Sequence, residues 1–119
     1  MSTPNLIWHK IADSSDLLAG FLEINQVKAV KVEGKFYCIG RLGDAYYAIT
    51  NQCPHAGGPL GQGHCDAHGN VVCPFHRYKF NLKTGRNVSG QGYYVDTFPT
   101  ETREDGLYIG LKKKKWWMF

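Results

Sequence analysis

Two short segments of the chain carry side chains able to hold a metal. "NQCPHAGGPL" at residues 51–60 sets Cys53 and His55 one residue apart, and "VVCPFHRYKF" at 71–80 sets Cys73 and His76 two residues apart. Thiolate sulfur and neutral imidazole nitrogen are the side-chain donors that borderline and soft metals prefer. With 17 residues between His55 and Cys73, each segment offers one donor of each kind. Such a set closes a tetrahedral structural zinc, although mixed zinc sites usually group their cysteines and their histidines separately, and here the types are interleaved. It also fits a two-iron cluster with sulfur on one iron and nitrogen on the other. Four unliganded core side chains are the remaining alternative.

The segments between and around these residues must bring them together. Short runs of β-branched and aromatic residues recur between glycine-rich turns, the pattern of an all-β domain. "LIWHKIA" at 6–12 reads as a first strand and "DSSDLLAG" as a turn or single helical turn. "VKAVKVEGKFYCIGRLGDAYYAITN" reads as three strands joined by tight turns at Glu33-Gly34 and Gly43-Asp44. Turn chemistry at Asp66–Asn70 predicts a hairpin that folds the second Cys/His pair back on the first, and "YKFNLKTGRNV" a further hairpin turning at Thr84-Gly85. The glycine-rich loop "SGQG" precedes two final strands, "YYVDTFP" and "GLYIGL". The expected architecture is a small antiparallel β-sandwich with a loop-rich hairpin insertion that carries the Cys/His residues.

A chain of 119 residues makes one domain with a real apolar core, and 43% hydrophobic with 20% charged residues is an ordinary globular balance. No segment approaches the roughly 20 apolar residues of a membrane-spanning helix, and the N-terminus lacks the features of a secretory signal, so a cytoplasmic protein is expected. The formal charge of +4 resides in Lys112–Lys115; residues 1–111 carry ten cations against the ten carboxylates. A nucleic-acid-binding face is therefore not expected. The triplet Asn87-Val-Ser89 matches a glycosylation acceptor, and that match is read as accidental.

Residues 53–60 and 73–76, with the "GDAYYAITNQCPH" approach and the "FNLKTG" hairpin, resemble the two cluster-binding loops of Rieske 2Fe-2S proteins of the ferredoxin type. The likeness covers roughly residues 5–111, so the chain divides into a cluster domain at 1–111, with loops at about 51–60 and 72–78, and a tail at 112–119. It implies that Cys53 and Cys73 bind the inner iron and His55 and His76 the outer. Gly57 and Gly58 then let the backbone approach the cluster, while Pro54, Pro59 and Pro74 stiffen the loops. High-potential relatives carry an extra disulfide whose positions are Gly58 and Phe75 here, and hydroxyl donors whose positions are Tyr78 and Phe80. Their loss implies a low potential.

The resemblance further implies a one-electron carrier, not an enzyme, working between a flavoprotein reductase and a terminal oxygenase or reductase. Arg77 and Lys79 are placed to guide an acidic partner. The chain also resembles the small subunit of assimilatory nitrite reductases, which makes a relay subunit the alternative. Gly90 and Gly92 suggest a third loop near the cluster. Cys38 reads as a core residue, Cys65 as a structural bystander, and His9 receives no role. The tail "KKKKWWMF" offers weak membrane-surface contact, a docking peg or a fold-back segment.

Overall fold

The computed structural model describes residues 6–54, 57–75 and 77–112. Residues 1–5, His55, Ala56, His76 and residues 113–119 lie outside the described residues, and with them the expectations for the two histidines and for the tail beyond Lys112.

Among the described residues, ten short strands form three antiparallel sheets, with almost no helix. The central sheet is the meander β2 (Val27–Val32), β3 (Lys35–Leu42) and β4 (Ala45–Thr50), closed by the two-residue strand β8 (Thr97–Phe98). Its turns fall at Glu33-Gly34 and Gly43-Asp44, where the sequence places them. An outer sheet pairs β1 (Leu6–Asp13) with β10 (Gly106–Lys112) and β10 with β9 (Thr100–Arg103). A single helical turn, α1 (Ser14–Leu18), follows β1. The third sheet is the predicted hairpin: β5 (His64–Cys65), β6 (Asn70–Val72) and β7 (Lys79–Asn81).

Alternation along β3 explains how one sheet supports two layers, because successive side chains of a strand point to opposite faces. Tyr37 and Ile39 join Ala12, Leu107 and Ile109 of the outer sheet in one core. Cys38, from the other face, joins Val71 and Phe80 of the hairpin sheet in a second core, and that core also contains Cys53 and Cys73. The central sheet is thus covered on both sides, and the hairpin insertion is a third layer rather than an appendage.

The C-terminal part differs from the expected pair of strands. "YYVDTFP" is not one strand: Tyr94 makes an isolated bridge to Arg86, and only Thr97–Phe98 pairs with β4. Pro99 interrupts the run, since it has no N–H to donate, and its carbonyl instead accepts from Gly110 N at 2.8 Å. The following "TETR" then crosses to the outer sheet as β9, a strand whose polar residues give no apolar alternation to read.

Two local devices fix the hairpin layer. A turn of 3-10 helix at Leu60–Gln62 covers the outer edge of β2, and Gly61 lies so close that a Cβ there would stand 2.5 Å from Ala29 N. Asp66 closes the β5–β6 turn by accepting from His68 N at 2.8 Å, Asn70 N at 3.0 Å and Asn70 Nδ2 at 3.1 Å, with Lys79 Nζ at 3.7 Å. Partial burial pushes the Asp66 carboxyl up, but those donors outweigh it and hold the group below its ordinary value.

Gly61→Ala is expected to destabilise the fold by about 2 kcal/mol, because backbone rather than a flexible side chain must yield; denaturant unfolding measures it. A depressed carboxyl stabilises above its unfolded value of about 3.9, and that contribution is lost as pH falls through the lower folded value. Asp66→Asn should therefore cost about 1–2 kcal/mol at neutral pH. In paired unfolding curves the deficit should hold from pH 7 to 5 and narrow below about pH 4.

Candidate metal centre

Cys53 and Cys73 meet where the central sheet, the 60–62 turn and the hairpin layer converge. Cys53 is 2% and Cys73 1% exposed, and their side chains lie within hydrogen-bond reach of each other. Neither forms a disulfide. Each opens a loop that closes in the same way: Cys53 N donates to Gly58 O at 2.8 Å, and Cys73 N donates to Tyr78 O at 2.8 Å. Both bonds span five residues, so the two loops are equal in size, and His55 and His76 fall inside them in the sequence. Beyond each buried cysteine the chain turns outward: Pro54, Gly57, Pro74, Phe75 and Arg77 are all exposed.

The first loop is held at its root by Asn51, whose carboxamide oxygen accepts from Gly61 N at 2.8 Å while its carbonyl accepts from Leu60 N at 2.6 Å. Within the loop Gly57 takes φ +72°, which a residue with a Cβ adopts poorly, and its N donates to Cys53 O at 2.9 Å. Gly58 faces the second loop. A Cβ on Gly58 would stand 2.9 Å from the Phe75 ring and 3.0 Å from Cys73 Sγ, so glycine leaves the space beside the sulfurs open. The positions matched to the disulfide of high-potential relatives, Gly58 and Phe75, are therefore neighbours across the two loops.

The donor set fits an iron–sulfur group. Burial pushes the Cys73 thiol up, the neighbouring Cys53 thiol adds to this, and the Phe75 backbone N–H offsets part of it. The Cys73 thiol ionises at a cost that a bound cation repays, since a coordinating metal deprotonates its thiols outright. The other two cysteines lack such an arrangement. Cys38 is fully buried, and its thiol is pushed far up by burial and by proximity to Cys65. Cys65 is half-buried, pushed up to about 11 by burial and then by Asp66.

A third loop lies against the second. Its organiser is Asn87, whose Oδ1 accepts from Gln91 N at 2.6 Å and Gly92 N at 3.1 Å, while its Nδ2 donates to Lys79 O at 3.1 Å and Ser89 Oγ at 3.1 Å. Ser89 Oγ also accepts from Lys79 N at 3.0 Å. The amide read as an accidental glycosylation acceptor is thus spent inside the protein. Tyr93 stacks on Tyr78 with ring centroids 6.0 Å apart. Gly90 and Gly92, at φ +93° and +82°, turn this loop. A cleft of about 420 Å³ separates its Gly92–Tyr94 side from Gln52 and Pro54 of the first loop. Sequence reasoning missed Asn51 and Asn87; the polar alternation Asn87, Ser89, Gln91 was the available sign.

The arrangement matches that of known proteins. Residues 7–99 match the Rieske [2Fe-2S] domain family. The chain is 33% identical to ferredoxin CarAc of Metapseudomonas resinovorans, over 92% of this chain and 99% of that protein. It is 34% identical to a stretch of nitrite reductase [NAD(P)H] of Emericella nidulans, covering 72% of this chain but only 8% of that one. Among solved structures, a ferredoxin-type chain from the complex of reduced oxygenase and oxidised ferredoxin in carbazole 1,9a-dioxygenase superposes with a TM-score of 0.77 at 29% identity, over 93% of this chain and 99% of that one. No helix among the described residues is long and apolar enough to cross a membrane. Two equal loops rooted in adjacent buried thiols, and a family match spanning most of the sequence, make this chain a member of the Rieske [2Fe-2S] domain family.

Proposed function

We propose that this protein is a cytoplasmic one-electron carrier whose 2Fe-2S cluster is held by Cys53 and Cys73 on the inner iron and by His55 and His76 on the outer. The observation that carries the reading is the gradient within each loop: a buried thiol at the root and exposed residues toward the tip. When bound, the cluster supplies reversible one-electron chemistry at a potential raised by its neutral imidazole ligands. Cys53 and Cys73 anchor it on the dry side, where the core excludes water. Gly58 keeps the contact between the loops narrow. The rigid sheets behind both loops limit how far ligands shift when charge changes. His55 and His76, which fall between the same loop ends in the sequence, would provide the exit for the electron.

Similarity to a ferredoxin, and to the ferredoxin partner of an oxygenase, supports delivery from a flavoprotein reductase to a terminal oxygenase or reductase. Catalysis would reside in those partners. The match to a stretch of nitrite reductase favours a second reading, a relay component of a nitrite-reductase-like complex, which purification from the source distinguishes by whether the protein travels alone. The cluster domain is assigned to residues 1–111 and the basic, aromatic tail to 112–119, with β10 running through their junction to Lys112.

A low potential is part of the proposal. Phe80 is fully buried and offers no hydroxyl, and Gly58 and Phe75 cannot form a brace of sulfur. Fewer donors toward the sulfurs leave the reduced state less stabilised.

Purified protein is expected to contain iron and acid-labile sulfide, and its dithionite-reduced form to give a paramagnetic resonance signal of lower average g than an all-cysteine cluster. Cys73→Ser and His76→Ala should abolish that signal, whereas Cys65→Ser should keep it; zinc without sulfide, or full clusters in both ligand variants, would overturn the assignment. Redox titration should give a midpoint below zero, in the lower part of the Rieske range of about −150 to +300 mV. A value well above zero would contradict the reading of Phe80.

A further inference from the structure

Charge is divided unevenly between the loops and the rest of the protein. Residues 51–63 and 72–95, which include all three loops, contain Arg77, Lys79, Lys83 and Arg86 and no Asp or Glu; all ten carboxylates lie elsewhere. Lys79 is engaged by Asp66 at 3.7 Å, and Lys83 lies over the Tyr47 ring. Arg77 and Arg86 are exposed, and among the described residues no carboxylate comes within 4.0 Å of either guanidinium.

Arg77 is set apart by its backbone. Its φ is +60°, a left-handed conformation shared among non-glycine described residues only with Asn25 and Glu33. Asn25 has a short polar side chain that tolerates this region, and Glu33 sits in a two-residue hairpin turn that demands it. Arg77 lies in the turn closed by Cys73 N and Tyr78 O, which glycine would make without steric cost. A long cation carried in a position that suits glycine indicates use of the side chain. Exposed Pro74 and Phe75, the latter 49% accessible, lie beside it on the same loop.

We propose that Arg77 is the docking cation of this protein, receiving a redox partner whose contact surface presents carboxylates around its own electron-transfer site, with Pro74 and Phe75 as the apolar part of the contact. The proposal rests on the carrier reading above and adds the chemistry of the partner. The four cations of the loop segments set those segments apart from a remainder in which ten cations and ten carboxylates balance, so an acidic surface draws the loop end and raises the encounter rate. At contact the planar guanidinium takes a carboxylate through two parallel N–H donors, a geometry that lysine does not offer.

Two protein probes of opposite charge test it by stopped-flow kinetics. Flavodoxin hydroquinone, an acidic donor, gives one electron to the oxidised cluster and becomes the semiquinone; ferric cytochrome c, a basic acceptor, takes one electron from the reduced cluster and becomes ferrous. For the unaltered protein the flavodoxin rate constant should fall as salt rises and the cytochrome c rate constant should rise. Arg77→Gly should keep its cluster, judged by visible absorbance, and melt no lower than the parent. At low ionic strength it should lose about fivefold in rate with flavodoxin and gain comparably with cytochrome c. Arg77→Lys should recover most of the flavodoxin rate, because encounter follows charge and the two-donor geometry acts only after contact. Unchanged rates and salt slopes in fully loaded Arg77→Gly would overturn the docking role while leaving the carrier standing. An unaltered protein without iron or sulfide would instead bring down the carrier reading, and this proposal with it.

Discussion

Two sulfur atoms buried side by side, those of Cys53 and Cys73, set the terms for everything around them. Burial makes the Cys73 thiol resist ionisation, and the Cys53 side chain beside it adds to that resistance. The surrounding structure holds them there regardless, through a loop closure repeated on either side and a glycine that leaves no side chain in the gap. Confinement of this kind is costly for an apolar core but suited to a cationic inorganic group. The remaining features of the hairpin layer, from the Asn51 and Asp66 hydrogen bonds to the packing of Gly61 on Ala29, serve to keep the two loops in register.

The loops are also polarised. Their roots are apolar and enclosed, and the described residues beyond them, Pro54, Gly57, Pro74, Phe75 and Arg77, are exposed, with no carboxylate and, in the second loop, the cation of Arg77. An electron leaving such a site meets solvent and partner on one side only. The third loop, organised by the carboxamide of Asn87 and stacked through Tyr93 on Tyr78, builds the flank of that face without supplying a sulfur or nitrogen donor of its own.

Much of this was legible in the residues. The two Cys/His motifs pointed to the family, and the tight-turn pairs Glu33-Gly34 and Gly43-Asp44 located the meander because hairpin turns demand particular residue types. The turn at Asp66–Asn70 was visible for the same reason. What escaped was long-range. The strand Thr100–Arg103 is polar and pairs only on one side, so no periodicity betrays it. "YYVDTFP" looks like a strand by composition, yet Pro99 and the third loop claim its ends. The role of Asn87 depends on the backbone of Lys79, eight residues away and in another element, which local pattern cannot reveal. The left-handed backbone of Arg77 is invisible in its residue type, which would argue against it.

The division of the interior into two cores bears on how the protein holds together. One core, built from Ala12, Leu22, Val32, Tyr37, Ile39, Ala48, Leu107 and Ile109, includes no residue of the metal-binding loops. Its cohesion rests on apolar contacts alone. The other half keeps the thiols of Cys53 and Cys73 among its apolar contacts, so its packing answers to the chemistry of those sulfurs where the packing of the first does not.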